Sequence, residues 1–211
     1  MKKIIAVDGP AGAGKSTVSK LVAQKLGYTY IDTGAMYRAV ALKSSHSNED
    51  LTDIINDIQI ELDDKARVFL DGVEVTKEIR TPEISKLASD VSKFGFVRKK
   101  LTELQRKMAE RGAVIMDGRD IGTQVLPNAD LKIFLTASID ERARRRFEEL
   151  QAKGQSVNLD AIKNEIALRD KQDSEREIAP LKQAEDAVLI DSTNLQINEV
   201  VEKILTLCYT D

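Results

Sequence analysis

The chain has 211 residues, of which 42% are hydrophobic, 32% charged and 4% aromatic, and its 32 Lys+Arg against 35 Asp+Glu leave a formal net charge of -3. That size and apolar fraction exclude a disordered chain and fit one globular unit, while Gly 11, Pro 4 and Cys 1 exclude collagen-like repeats, disulfide frameworks and Cys-rich zinc modules. The near-balanced charge argues against a general nucleic-acid binder, but leaves open a small acidic ligand held by a local cluster of cations.

In chain order, Lys3 to Asp8 is a short apolar run without alternation, which predicts a strand buried on both faces of a parallel sheet. A Gly-rich turn follows. Val18, Leu21, Val22 and Leu26 then recur at helical spacing, with Gly27 as the stop signal. Tyr28 to Asp32 predicts the second strand, completing a strand–helix–strand unit of right-handed parallel crossover. Leu51, Ile54, Ile55 and Ile58 suggest a further helix, and Ser44 to Asn48, around His46, reads as a polar loop.

The character then changes. Ile60 and Leu62 alternate with polar residues, and two short apolar runs flank Asp71-Gly72, a pair that accepts the positive φ angles of a tight hairpin. Residues 58–80 therefore read as a small antiparallel insert. Thr81-Pro82 opens a helix carrying Ile84, Leu87, Ala88 and Val91, and Val97, Leu101, Leu104 and Met108 mark the next. Val114 to Asp117 and Leu131 to Thr136 are further buried strands. Ser138-Ile139-Asp140-Glu141 is a capping box ahead of a helix ending near Gly154. Asn158 opens another helix with Ile162 and Ile166, Ala187 to Asp191 is the fifth strand, and Ile197, Val200, Val201 and Ile204 mark the last helix. Cys208, near its end, reads as a small buried hydrophobe. The order predicts an α/β doubly wound parallel sheet with one β-rich insert.

Gly9-Pro10-Ala11-Gly12-Ala13-Gly14-Lys15-Ser16 matches G-x-x-x-x-G-K-S. Glycines let backbone N–H groups fold around phosphate oxygens, and the following helix points its positive end at the same anion. In that pattern Lys15 reaches the β and γ phosphates and the Ser16 hydroxyl meets Mg²⁺, so the loop implies nucleoside triphosphate binding. No N-K-x-D guanine motif accompanies it. Arginines supply a second theme. Arg38 follows the second strand and Arg119 the third, so both are candidates for the crevice at the carboxyl ends of the strands. Asp117 ends an apolar strand, as a Mg²⁺-holding carboxylate would. Arg142, Arg145 and Arg146 share one helical face, as do Arg169, Asp173 and Arg176 if that helix runs far enough. These two faces suggest a closing lid, or else solvated surfaces laced by Glu148, Glu149 and Glu175.

With these motifs on the page, the chain resembles the bacterial cytidylate kinases, within the nucleoside monophosphate kinases. The resemblance spans essentially the whole chain. It is carried by Asp8 to Thr17, Asp32-Thr33-Gly34-Ala35-Met36-Tyr37-Arg38, Asp117-Gly118-Arg119-Asp120-Ile121-Gly122-Thr123 and Ile178-Ala179-Pro180-Leu181. It implies a P-loop kinase with a central five-stranded parallel sheet, a small antiparallel β insert and a helical lid. The implied organisation has residues 1–35, 111–140 and 179–211 as core, 36–110 as the monophosphate-binding region with the insert at about 58–80, and 141–178 as lid.

The implied reaction is ATP-dependent phosphorylation of CMP and dCMP with Mg²⁺. Gly9 to Thr17 would hold ATP, and Ser16 and Asp117 the metal. Arg38, Arg119 and Arg176 would hold the acceptor phosphate, Ser89, Arg98 and Asp120 would read cytosine, and Arg169 and Asp173 would lie near the ribose. Thr33 joins the substrate set in place of the Ser of some relatives, and Arg142, Arg145 and Arg146 belong to the lid. Lys15, Arg119, Arg176 and Arg145 are the expected catalytic cations. A cytoplasmic monomer is expected, with no nucleic-acid or membrane partner. The first apolar stretch, Ile4 to Val7, is too short for a signal core. Alternatives at this stage are a kinase for shikimate or dephospho-coenzyme A on the same fold, or a non-catalytic nucleotide sensor.

Overall fold

The computed structural model describes residues 3–63 and 65–209. The outer ends of the expected core, residues 1–2 and 210–211, lie outside the described residues. Five parallel strands, β1 (Ile4–Asp8), β2 (Thr29–Asp32), β6 (Val114–Gly118), β7 (Leu131–Thr136) and β8 (Val188–Asp191), form a sheet in the order β2-β6-β1-β7-β8. Ile4 pairs with Val114 in β6, and Ile5 pairs with both Ile115 and Leu131. β1 is thus central and its residues from Ile5 onward are buried, which explains its unalternating apolar run. Helices α1 (Lys15–Leu26) and α8 (Ile197–Tyr209) bring Val18, Val22, Val201 and Ile204 onto one face, where Cys208 is also buried. Met116, Ile121 and Val125 lie with Ile31 and Ala109 in a cluster of their own. Gly27 ends α1 at φ 66, as its position in the sequence predicts.

The segment after β2 holds the main departure from the sequence reading. Helix α2 (Thr33–His46) follows β2 directly, and the sequence reading placed no helix there. Its Gly34, β-branched residues and serines weaken the local signal, and its tertiary setting decides instead. Met36, Ala39, Val40 and Ala41 are wholly buried against α3 (Leu51–Asp57), α4 (Pro82–Val91) and α5 (Gly95–Ala109). His46 is accordingly the last residue of a helix rather than part of a loop.

The expected insert is present as the antiparallel sheet β3 (Ile60–Leu62), β4 (Val68–Leu70) and β5 (Val73–Glu74). Asp71 at φ 50 and Gly72 at φ 81 form its tight turn, both with positive φ as a two-residue hairpin loop of this type requires. A 3-10 turn, Glu78–Arg80, leads into α4, which Thr81 caps by accepting from Ile84 N.

Helices α6 (Ile139–Ala152) and α7 (Leu159–Glu175) pack on each other around Ala143, Ile162 and Ile166, a small core separate from those of the sheet. Ser138 caps α6 by accepting from Glu141 N, and Asn158 caps α7 by accepting from Ala161 N. The reciprocal half of the expected capping box gives way, because Ser138 N donates to Thr193 Oγ1 and Glu141 turns to Arg144 and Arg145. α7 stops at Glu175, and Arg176 is its extended C-cap, so Arg169, Asp173 and Arg176 do not share one helical face.

Candidate active site

At the carboxyl ends of the parallel strands lies a cleft of about 820 Å³. Its lining includes every residue expected to bind a nucleotide or metal except Gly9 and Pro10, which form the base of the loop. An open α/β sheet gathers ligands at this edge because each strand there hands over to a loop.

The loop after β1 is shaped by close approach. Gly9 has φ 149, and a Cβ there would stand 1.9 Å from the Leu135 carbonyl oxygen of neighbouring β7. Only glycine fits. Gly14, in left-handed conformation at φ 89, opens α1 with no side-chain cap, so the first-turn N–H groups face an incoming anion. Lys15 folds back over the loop, its Nζ donating to Gly9 O at 2.7 Å and Pro10 O at 2.8 Å. Burial, and then the Arg119 charge, push its pKa well below the usual lysine value.

Asp117, at the end of β6, is the acceptor for three side chains. Ser16 Oγ donates to its Oδ2 at 2.8 Å, Tyr30 OH to its Oδ1 at 2.9 Å, and Thr33 Oγ1 to its main-chain carbonyl at 2.7 Å. Burial and the adjacent Asp32 raise its pKa to about 6. A buried carboxylate beside a hydroxyl is a pair of hard oxygen donors one positive charge short of comfortable ionisation. Among the described residues no cluster of three or more His, Cys, Asp or Glu could hold a metal, so a cation beside Ser16 and Asp117 would need ligands beyond the side chains gathered here.

The arginines are not free cations waiting for a ligand. They alternate with carboxylates in a chain. Arg98 Nη2 donates to Asp120 Oδ2 at 2.5 Å, and Arg176 Nη2 reaches Asp120 Oδ1 at 3.3 Å. Arg176 Nη1 lies 3.8 Å from Asp173 Oδ1, and Arg119 Nε donates to Asp173 Oδ2 at 2.8 Å. Tyr37 lies under Arg98, the guanidinium carbon 5.4 Å from its ring centre, and burial pushes its hydroxyl pKa up to about 12. Arg38 Nη2 pairs with Asp32 Oδ2 at 3.0 Å. Arg38 Nε and Arg169 Nε, however, are buried without a hydrogen-bond partner. Burial and then the neighbouring Arg119 lower the Arg169 pKa to about 10. Two buried, unsatisfied cationic donors at one cleft fit an anion there. Ser89 Oγ faces Gln172 Oε1 at 3.5 Å on the rim. The Ile178-Ala179-Pro180-Leu181 stretch holds the chain after α7: Ala179 O accepts from Arg176 Nε at 2.5 Å, and Leu181 N donates to Asp173 O.

The α6 arginines diverge. Arg142 turns inward to the loop and α7, as detailed below. Arg145 reaches Ser192 O at 2.6 Å beside the loop after β8, and half-buried Arg146 pairs with Glu149. Arg144, which the sequence reading passed over, pairs with Glu141 and Glu148 at the cleft edge.

Asp8, Tyr30 and Tyr37 support the site without having been singled out. Asp8 accepts from Ile121 N and Gly122 N, and so caps the single π turn Ile121–Val125 directly after Asp120. Burial raises its pKa to about 6. Each lies inside or beside a quoted motif, but its partners are distant in sequence and only the fold brings them together.

Against known proteins, the family model described as "Cytidylate kinase" matches residues 5–210. A cytidylate kinase of Caldicellulosiruptor bescii is 58% identical over 99% of this chain and 97% of its own, and one of Bacillus subtilis is 53% identical over 97% and 95%. Among solved structures, shikimate kinase from Bacteroides thetaiotaomicron superposes with a TM-score of 0.54 at 17% identity, over 99% of both chains. An uncharacterised protein from Eubacterium ventriosum gives 0.58 at 12%, again over 99% of both. At such identities the structural likeness speaks for the fold, a P-loop kinase fold. The sequence likeness goes further, and by it the chain belongs to the cytidylate kinase family.

Proposed function

We propose that the protein transfers the γ-phosphoryl of ATP to the phosphate of CMP or dCMP, giving ADP and CDP or dCDP. The observation that carries this reading is the meeting, in one cleft, of the loop Gly9 to Thr17 with a second cationic set, Arg38, Arg119, Arg169 and Arg176, deep enough to leave two guanidinium nitrogens without partners. A nucleotide sensor has no need of that second set.

The acceptor oxygen belongs to a phosphate whose second pKa is about 6, so it is already an anion and no general base is required. What the chain must supply is position and charge. The loop amides and Lys15 hold the donor phosphates. Arg38, Arg119 and Arg176 hold the acceptor phosphate against the mutual repulsion of two polyanions. Ser16 and Asp117 would hold Mg²⁺, which when bound neutralises charge on the donor phosphates. Asp120 suits the N4 amino donor of cytosine, Arg98 and the Ser89 hydroxyl suit its N3 and O2 acceptors, and Arg169 and Asp173 would serve the ribose hydroxyls.

In this reading residues 36–110 form the monophosphate-binding region and 141–178 a lid over a core of 1–35, 111–140 and 179–211. The separate apolar clusters around α2 and between α6 and α7 support that division. Closure of α6 and α7 would keep water from the transferring group. The protein would act as a cytoplasmic monomer, without nucleic-acid or membrane partners. Its most exposed apolar side chains, Val73, Leu168, Leu189 and Tyr209, are spread over β5, α7, β8 and α8, and no helix among the described residues is long and apolar enough to cross a membrane.

A coupled ADP-release assay with CMP, dCMP, UMP, AMP and shikimate tests the reading. Turnover that depends on CMP and dCMP is expected. Equal efficiency with UMP refutes the base-reading assignment, and ADP release independent of any acceptor refutes the kinase reading.

A further inference from the structure

Arg142 carries the sequence signature of a polyphosphate-binding lid residue, yet its place in the fold is different. It is 4% exposed, and each of its side-chain nitrogens engages a different segment. Nε donates to Ala137 O, in the turn after β7, at 2.9 Å, and Nη1 donates to Ala11 O, in the middle of the nucleotide loop, at 2.9 Å. Nη2 pairs with Asp170 Oδ2 on α7 at 2.7 Å. Its Cβ also lies against the loop, 3.4 Å from where a Cβ on Gly12 would stand.

Asp170 is the neighbour of Arg169 and stands three residues before Asp173, both of which line the acceptor side of the cleft. The guanidinium therefore bridges the segment that would hold the donor phosphates and the helix whose rotation sets the acceptor-side groups. Its planar fork fixes the direction of all three contacts at once, which a lysine ammonium could not do.

We propose that Arg142 is a positioning residue for phosphoryl transfer: it holds the nucleotide loop in register with α7, so that donor and acceptor phosphates meet in line. The proposal rests on the reading of the cleft as a site for two nucleotides. In-line transfer is sensitive to placement at the ångström scale, whereas all three side-chain nitrogens of Arg142 are already engaged by the protein, so the affinity of each nucleotide alone would rest on other groups. Loosening the bridge should therefore lower turnover more than binding, and let water compete as the acceptor.

Arg142→Gln leaves the half-buried Asp170 carboxylate without its cation and risks unfolding, so Asp170→Asn and Arg142→Lys are the informative variants. The readout is the ratio of CDP to ADP formed, which does not depend on the folded fraction, together with kcat and both KM values. For Asp170→Asn we expect kcat for transfer to fall about tenfold to a hundredfold with each KM within about threefold, and the CDP to ADP ratio to drop below that of the wild type. Arg142→Lys should recover part of the ratio lost in Arg142→Gln. A folded Asp170→Asn with wild-type kcat and ratio overturns the proposal, as does a fall in kcat with the ratio unchanged, which marks a purely structural tie. A wild-type protein that forms no CDP overturns the two-nucleotide reading, and this proposal with it.

Discussion

Arg98 and Asp120 meet at 2.5 Å in the buried floor of the cleft, with Tyr37 beneath the guanidinium and Arg176 on the other carboxylate oxygen. In the proposed reading the pair would offer an acceptor and a donor to the same small volume, the complement of a cytosine edge and the wrong complement of uracil. An acceptor facing an acceptor there costs on the order of 1–3 kcal/mol.

Asp120→Asn should therefore blunt discrimination without removing the residue's shape. The amide offers a donor where the carboxylate offered none, so the CMP over UMP preference in kcat/KM should narrow by about tenfold, mostly through loss on CMP. Steady-state kinetics with both nucleotides check this, and an unchanged ratio means Asp120 does not read the base.

Lys15→Met tests the donor side. The substitution keeps the buried stem and removes the ammonium that bonds the Gly9 and Pro10 carbonyls. Turnover should fall by about a thousandfold while far-UV circular dichroism is retained. A variant with a tenth of wild-type kcat would show that the loop amides suffice.

Asp117→Asn addresses the expected metal. It keeps an oxygen for the Ser16 hydroxyl but loses the negative charge, so the Mg²⁺ concentration for half-maximal rate should rise about tenfold to a hundredfold. A Mg²⁺ titration at saturating nucleotide reads the shift directly.

Asp8 gives a pH dependence of stability with a definite sign. Its carboxyl keeps its proton in the native state up to about 6, against 3.8 as an ordinary value, because burial outweighs the two backbone N–H bonds. The native state therefore binds the extra proton between those values. The stability this group contributes is full below 3.8 and is lost as pH rises through about 6. Relative to Asp8→Asn, the wild type should lose about 1 kcal/mol of unfolding free energy between pH 5 and pH 7.5. Urea unfolding of both proteins at the two pH values measures it. A difference that is flat or grows with pH contradicts the assignment.

Much of this is legible in the sequence alone. Strand β1 announces itself because a doubly covered strand cannot alternate, and the Asp71-Gly72 hairpin because few pairs tolerate two positive φ angles in a row. The nucleotide loop is readable because its chemistry lies in consecutive residues. Helix α2 is not readable: its buried residues, Thr33, Ala35, Met36, Ala39, Val40, Ala41 and Leu42, run nearly without a break and so carry little helical periodicity, and burial against α3, α4 and α5 rather than propensity forms it. The partners of Arg142 are hidden from the sequence for a related reason. Spacing shows that Arg142, Arg145 and Arg146 share a helix face, but not that Asp170 and the Ala11 carbonyl lie beneath only the first of them. The same holds for Arg176, whose helix ends one residue too soon for the pattern to continue.

The alternation Arg98–Asp120–Arg176–Asp173–Arg119 has a consequence for what the cleft ignores. Bare clustered arginines would behave as an ion exchanger and collect inorganic phosphate or any passing polyanion. Along this alternation each cation already has a carboxylate neighbour with which a lone phosphate must compete, whereas the unpartnered nitrogens of Arg38 and Arg169 beside it meet an anion without that competition. Under the proposed function, a ligand that also brings an amino group for Asp120 would compensate the carboxylate it displaces. The interleaved acids would then make this part of the pocket less responsive to simple anions than to a molecule that carries phosphate and base together.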